Sequence, residues 1–340
     1  MPHVISRVQI TWGVPKRCFA LPTALQFDVR HGLTGNGKLV RMPTCVQITN
    51  LTKCFGSVVA VGGLNLEVPE GEVVGLLGPN GAGKSTTLSM VCGLSRPTSG
   101  SISLFGRDVN RYYLDVAPRM GVLLERPAFY GHMSARRNLS LLARLGRKQV
   151  VIDKALDRVG LLPSSSKKVR TFSRGMLQRL GLAQALMTEP ELLLLDEPTN
   201  GLDPEATQEI LRLLRFLASE AKVTILYSSH LLHEMETVCD RVAILNRGRL
   251  VACEKVNALV AYDTTQVDVL VDAPDAAARR LAEQKWVESA VASNGRMAVR
   301  LSGGSVHQLT SFLVSNGFVV SGVIPRRRTL QDYFLKVLNK

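Results

Sequence analysis

The run Gly78-Pro79-Asn80-Gly81-Ala82-Gly83-Lys84-Ser85-Thr86 has the spacing GxxxxGK[ST], a glycine-rich turn that opens into a helix. Its glycines let the backbone turn tightly enough for successive N–H groups to point at phosphate oxygens. The helix starting at Lys84 aims the positive end of its dipole at the same place. Lys84 supplies a mobile charge for the β- and γ-phosphates, and the Ser85 hydroxyl is placed to ligate Mg²⁺. Such a cradle also needs a carboxylate on a neighbouring strand to hold the metal through water. Leu192 to Leu195 is a greasy run that ends in Asp196, at the strand end where ligands of α/β sheets gather. Glu197 follows at once. It cannot easily share the metal role, but it can orient and polarise the water that attacks a γ-phosphate. These two motifs fit many hydrolases of nucleoside triphosphates.

A third motif narrows the field. Phe172-Ser173-Arg174-Gly175-Met176, then Gln178-Arg179-Leu180, stands about twenty residues before Asp196. It resembles the ABC signature, usually written LSGGQ, in the S-x-G-M-x-Q-R form common among bacterial exporter ATPases. Arg174 and Met176 depart from the strict consensus. From residue 44 to about 255 the chain resembles the ATP-binding subunit of ABC transporters, of the drug- and bacitracin-resistance (ABC-2 exporter) type. The resemblance implies ATP and Mg²⁺ as cofactors and a homodimer with two sandwiched sites. Ser173 and Gly175 of one copy would close over the γ-phosphate held by the other. Phe55 falls where an aromatic ring stacks on adenine. Asp203, in Asn200-Gly201-Leu202-Asp203, falls on the D-loop and would reach across the dimer. His230, after Ser228-Ser229, falls on the H-loop and would contact the γ-phosphate. Gly121 to Glu125 occupies the Q-loop, with Glu125 where the family usually has Gln; it is read as a working variant that ligates the metal.

Positioning these stations requires alternating elements. Val46 to Ile48 and Leu64 to Val68 read as strands of an antiparallel edge, and Glu72 to Leu77 as a short strand feeding the cradle. Helical periodicity runs from Ala135 to Met187, broken at Pro163 and Ser164 to Lys168. Leu192 to Leu195 and Val223 to Tyr227 are buried strands separated by an amphipathic helix from Pro204 to Leu217. The prediction is an α/β fold of the P-loop NTPase class with an ABC ATPase core: a mixed sheet with flanking helices, an antiparallel edge and a helical subdomain. After Tyr262 come strand Val267–Val271, helix Ala276–Glu283, strand Arg296–Leu301, helix Val306–Ser315, strand Val319–Ile324 and helix Thr329–Leu338. That order predicts a small C-terminal α+β domain. The boundaries read as a disordered leader over 1–41, an ATP-binding domain over 42–261 and an accessory domain over 262–340.

Bulk properties agree with this division. At 340 residues, 46% of them apolar, the chain can bury a large aliphatic core. Its six cysteines show no metal-ligand spacing, so reduced thiols are expected. The net charge of +14 is spread along the chain and never interleaved with aromatics, so no nucleic-acid partner is expected. No apolar run reaches the roughly 18–20 residues of a membrane span. The resemblance therefore implies a separate integral-membrane permease, with this subunit peripheral on the cytoplasmic face of the cell membrane. The rival reading is a non-transport ABC ATPase, associated with translation or chromosomes. The first would carry two cassettes and the second a long heptad insertion, whereas this chain has one cradle, one signature and no such insertion.

Overall fold

The computed structural model describes residues 32–33, 39–40, 43–124, 127–144, 150–260, 262–293, 295–327 and 329–338. Gly32–Leu33 (β1) and Leu39–Val40 (β2) pair antiparallel as a small unit of their own. The rest of the expected disordered leader lies outside the described residues. A second unit runs from Pro43 to Lys340. It opens with β3 (Thr44–Phe55), β4 (Val58–Pro69), β5 (Val73–Leu77) and helix α1 (Lys84–Val91). Next come β6 (Ser99–Leu104), β7 (Arg107–Asp108), α2 (Val109–Val116) and β8 (Met120–Leu123). Three helices follow: α3 (Ala135–Ala143), α4 (Ile152–Arg158) and α5 (Arg174–Leu186). Then come β9 (Leu192–Asp196), α6 (Pro204–Ser219), β10 (Thr224–Ser229) and α7 (Leu232–Val238). β11 (Arg241–Asn246), β12 (Arg249–Lys255) and α8 (Val256–Leu259) complete this part.

The main sheet has the order β12-β11-β5-β10-β9-β8, parallel throughout except for the β11–β12 pair. Its central strands read as unbroken apolar runs because both faces are covered. β5 sends Val73 and Leu77 to one core and Val74 and Leu76 to the other. β9 divides Leu193 and Leu195 from Leu192 and Leu194 in the same way. Helices cover the first face, with Leu180 of α5, Ile210 and Leu214 of α6, and Met235 of α7 in the shared core. α6 packs there because Ala206, Ile210, Leu211, Leu214, Leu217 and Ala218 recur on one side at helical spacing.

The other face is covered by α1 and a separate antiparallel sheet of order β4-β3-β6-β7. The antiparallel strands expected at an edge are thus a layer of their own. The reason is that β3 spends both of its hydrogen-bonding edges on β4 and β6, leaving its side chains, Val46 and Ile48 among them, to meet the main sheet.

The C-terminal part contains β13 (Tyr262–Val271), α9 (Pro274–Ala282), β14 (Val287–Ser293), β15 (Arg296–Leu301), α10 (Val306–Ser315), β16 (Val320–Arg327) and α11 (Leu330–Leu338). An antiparallel sheet β14-β15-β13-β16 carries α9 and α10, with a core of its own around Val269, Leu281, Met297 and Leu309. β14, the strand that the sequence pattern did not show, is a half-exposed edge of small residues. α11 leaves this sheet and returns to the large core, where Leu330 is fully buried and Tyr333, Phe334 and Val337 pack beside it. The Leu330 amide donates to Glu236 Oε1 of α7 at 2.6 Å. Among the described residues no helix is long and apolar enough to cross a membrane.

This docking has a direct test. Leu330→Ala is expected to lower the unfolding free energy by about 3 kcal/mol, as removal of a buried leucine does, measured by urea denaturation of the full chain. A loss below about 0.5 kcal/mol, the range of surface substitutions, would mean that α11 does not anchor the tail.

Candidate nucleotide site

Three parallel strands end at one level. Ser228 of β10 is in register with both Leu76 of β5 and Asp196 of β9, and Ser229 with Leu77. The glycine loop after β5, the acid closing β9 and the turn after β10 therefore share one carboxyl edge of the sheet. Ligands of α/β folds gather at such an edge.

The loop from Gly78 to Gly83 leads straight into α1. Gly83 precedes the helix at φ 99°, and a Cβ there would lie 2.7 Å from the carbonyl oxygen of Ala60, so both backbone and space demand glycine. Pro79, Asn80, Gly81 and Ser85 are exposed, Thr86 is half-buried and Ala82 is buried beneath them. Lys84 is only 6% exposed, and its Nζ donates to the carbonyls of Gly78 at 2.8 Å and Pro79 at 3.2 Å. Burial lowers the pKa of this ammonium, while the carboxylates of Glu197 and Asp196 pull it back up. Lys84 thus lies in the field of both acids.

Those acids are held by Ser228 and Asn200, which have no assigned role in the sequence, and by His230, which has one. Ser228 Oγ donates to Asp196 Oδ1. The amide of Glu197 lies 3.1 Å from both the hydroxyl and the carbonyl oxygen of the same serine. Glu197 has φ +44°, a left-handed conformation that costs a non-glycine residue roughly 1–2 kcal/mol. Its carboxylate is gripped at both oxygens. Asn200 Nδ2 donates to Oε2 at 3.0 Å, and His230 Nδ1 lies 3.0 Å from Oε1. Glu197 and His230, predicted from separate motifs, are therefore in direct contact. The signal for Ser228 was its place beside Asp196 in the sheet, which only the strand register reveals.

The signature and D-loop residues form a second group. Ser173 caps α5, its hydroxyl accepting from the Met176 amide at 3.2 Å. Gly175, in the first turn, faces Ala206 of α6, where an added Cβ would come within 3.5 Å of that side chain. Arg174 lies flat against Gly201, whose φ is +70° and whose Cβ, if present, would fall 2.2 Å from the guanidinium carbon. Asp203 caps α6, with Oδ1 accepting from the Ala206 amide at 2.8 Å. Among the described residues no hydrogen bond joins Ser173, Gly175 or Asp203 to the phosphate loop. Phe55 ends β3 as a residue 56% exposed, with Lys53 Nζ 4.9 Å from its ring centre. Glu125 lies outside the described residues.

The exposed Ser85 hydroxyl and the Asp196 carboxylate are hard oxygen donors of the kind Mg²⁺ accepts. Among the described residues no group of three or more His, Cys, Asp or Glu side chains could hold a metal by itself. Two such donors fit a cation that arrives with phosphates and completes its shell with phosphate and water.

Comparison with known proteins follows the same lines. Residues 61–200 match the family described as ABC transporter. A bacitracin transport ATP-binding protein of Bacillus licheniformis is 38% identical over 300 residues, covering 87% of this chain and 98% of the relative. A lantibiotic transport ATP-binding protein of Streptococcus pyogenes is 40% identical over 207 residues, covering 61% of this chain and 89% of the relative. Among solved structures, a dimeric post-hydrolysis state of an ATP-binding cassette bound to ADP and phosphate is similar, with TM-score 0.56 and 26% identity. It covers 62% of this chain and 98% of its own.

The geometry predicts that Ser228→Ala lowers nucleotide hydrolysis roughly 10- to 100-fold, the usual effect of removing a group that orients a metal-holding carboxylate. Steady-state phosphate release measures this. Unchanged turnover would mean that Asp196 and the Glu197 backbone keep their places without the serine.

Proposed function

The chain belongs to the ABC transporter ATP-binding family, and on that premise we propose how its residues divide the work of an ATP-hydrolysing transport subunit. The observation that carries the reading is the Glu197 carboxylate, gripped by Asn200 and His230 beside Asp196 and within the field of Lys84. Phe55 stacks on adenine through its exposed ring. Backbone N–H groups of the loop from Asn80 to Thr86 and the Lys84 ammonium hold the β- and γ-phosphates. The Ser85 hydroxyl, and through water the Asp196 carboxylate, would hold a Mg²⁺ ion, which when bound would supply positive charge against the phosphates. Glu125, at the Q-loop position, is assigned the family's contact to that metal. Glu197 accepts a proton from the attacking water as its oxygen bonds to the γ-phosphorus and the bond to ADP breaks. His230 keeps that carboxylate aimed and contacts the γ-phosphate.

Each chain supplies the loop and the acids, whereas Ser173 and Gly175 lie on another element, with no hydrogen bond to the loop among the described residues. This supports a homodimer in which the signature of one copy closes over ATP bound by the other, with Asp203 reaching across. Residues 42–261 form the ATP-binding domain and 262–340 an accessory domain. The relatives named for bacitracin and lantibiotic transport support an exporter that drives a separate integral-membrane permease from the cytoplasmic face.

In Glu197→Gln, ATP binding is expected to persist while hydrolysis falls roughly 10²–10⁴-fold, the range for loss of a positioned general base. The variant should accumulate as an ATP-bound dimer in gel filtration. Near-normal turnover would remove Glu197 from the mechanism.

A further inference from the structure

Strand β10 serves the site with more than Ser228. Side chains alternate along a strand, so Tyr227 and Ser229 point away from the face that Ser228 uses. Both of their hydroxyls donate to one oxygen of Glu234: Tyr227 Oη to Oε2, and Ser229 Oγ to the same Oε2 at 2.8 Å. Glu234 stands in the first turn of α7 and is fully buried, and its Oε1 has no hydrogen-bond partner among the described residues. Ser229 Oγ in turn accepts from the Leu231 amide at 3.0 Å. His230 is the single residue between Ser229 and Leu231. Its backbone is therefore closed on both sides through Ser229 Oγ, which Glu234 holds, while its imidazole leaves the turn for Glu197.

Two further facts bear on this arrangement. Leu231, the residue that precedes α7, provides no side-chain cap, so the Ser229–Glu234 link is what orders the entry to the helix. Burial first, and then the charge of Glu234, push the Tyr227 phenol well above its ordinary value, so it remains a donor. An acid taken wholly out of water is poorly explained by packing, because an apolar residue of similar volume fills such a space without the desolvation penalty.

We propose that Glu234 is a positioning residue for His230, fixing the turn from Ser229 to Leu231 so that the imidazole stays on Glu197. It acts through His230 alone, and the inference rests on the assignment of His230 and Glu197 to hydrolysis given above. The test is single-turnover ATP hydrolysis by the full chain as wild type, Glu234→Gln, His230→Ala and the double variant, with ATP affinity measured in parallel. Glu234→Gln keeps the volume and replaces the acceptor pair by an amide. It should slow hydrolysis roughly 10-fold, as loss of an orienting group does, with ATP affinity within about 2-fold. In the His230→Ala background it should add no further loss, the mark of two residues acting as one. Equal losses in both backgrounds, or weakened ATP binding, would overturn the proposal. Should Glu234→Gln fail to fold, Ser229→Ala removes the hydroxyl that joins Glu234 to the Leu231 amide and is judged by the same comparison. Normal hydrolysis by His230→Ala would overturn the site assignment itself. Slow His230→Ala with normal Glu234→Gln and Ser229→Ala would overturn this inference alone.

Discussion

The register of three parallel strands is the constraint on which the site depends. Ser228 pairs across to Leu76 on one side and Asp196 on the other, so the glycine loop, the acid that closes β9 and the histidine turn begin at one level. A slip of one residue in any strand would invert its side chains between the two cores. That slip is resisted by leucine and valine packed on both faces of β5 and β9. The apolar layers, which do no chemistry, thus fix where the chemistry takes place. β10 shows how much one strand can carry: Ser228 serves the acids on one face, while Tyr227 and Ser229 hold Glu234 on the other.

At the site, charge meets burial. Lys84 is nearly buried, and burial disfavours its ammonium. Two loop carbonyls and the field of Asp196 and Glu197 offset part of that effect. Glu197 itself occupies a left-handed backbone conformation held by Ser228. Such strain persists only where the surroundings over-determine it, and here the carboxylate also has both oxygens engaged. Under the proposed role of Glu197 as base, a carboxylate ordered in this way would need little rearrangement to take a proton from water.

What could be read from the sequence is what backbone chemistry forces into residue types. The phosphate loop declares itself because a tight turn of amides admits only glycine at positions such as Gly83. Asp196 and Glu197 were legible because an acid pair closing four leucines is rarely a surface feature. Ser228, Asn200 and Glu234 were not, because their roles depend on register and on turns that bring distant residues together. The same limit applies to the fold. The apolar stripe of Leu330, Tyr333, Phe334 and Val337 shows that α11 must pack, but not that it packs on the large core rather than the sheet it follows. Nor did the pattern of β3 and β4 show that they form a layer apart, since alternation reports a buried face and not the identity of its cover.

The central claim is that the grip of Asn200 and His230 on Glu197 is the hydrolytic geometry. The most direct test is a crystal structure of the chain with Mg²⁺ and a non-hydrolysable ATP analogue. The account predicts Glu197 still bracketed by Asn200 and His230, its free edge toward the γ-phosphate, with Ser85 and Asp196 on the metal side. A Glu197 side chain turned away from both partners and from the γ-phosphate would contradict it.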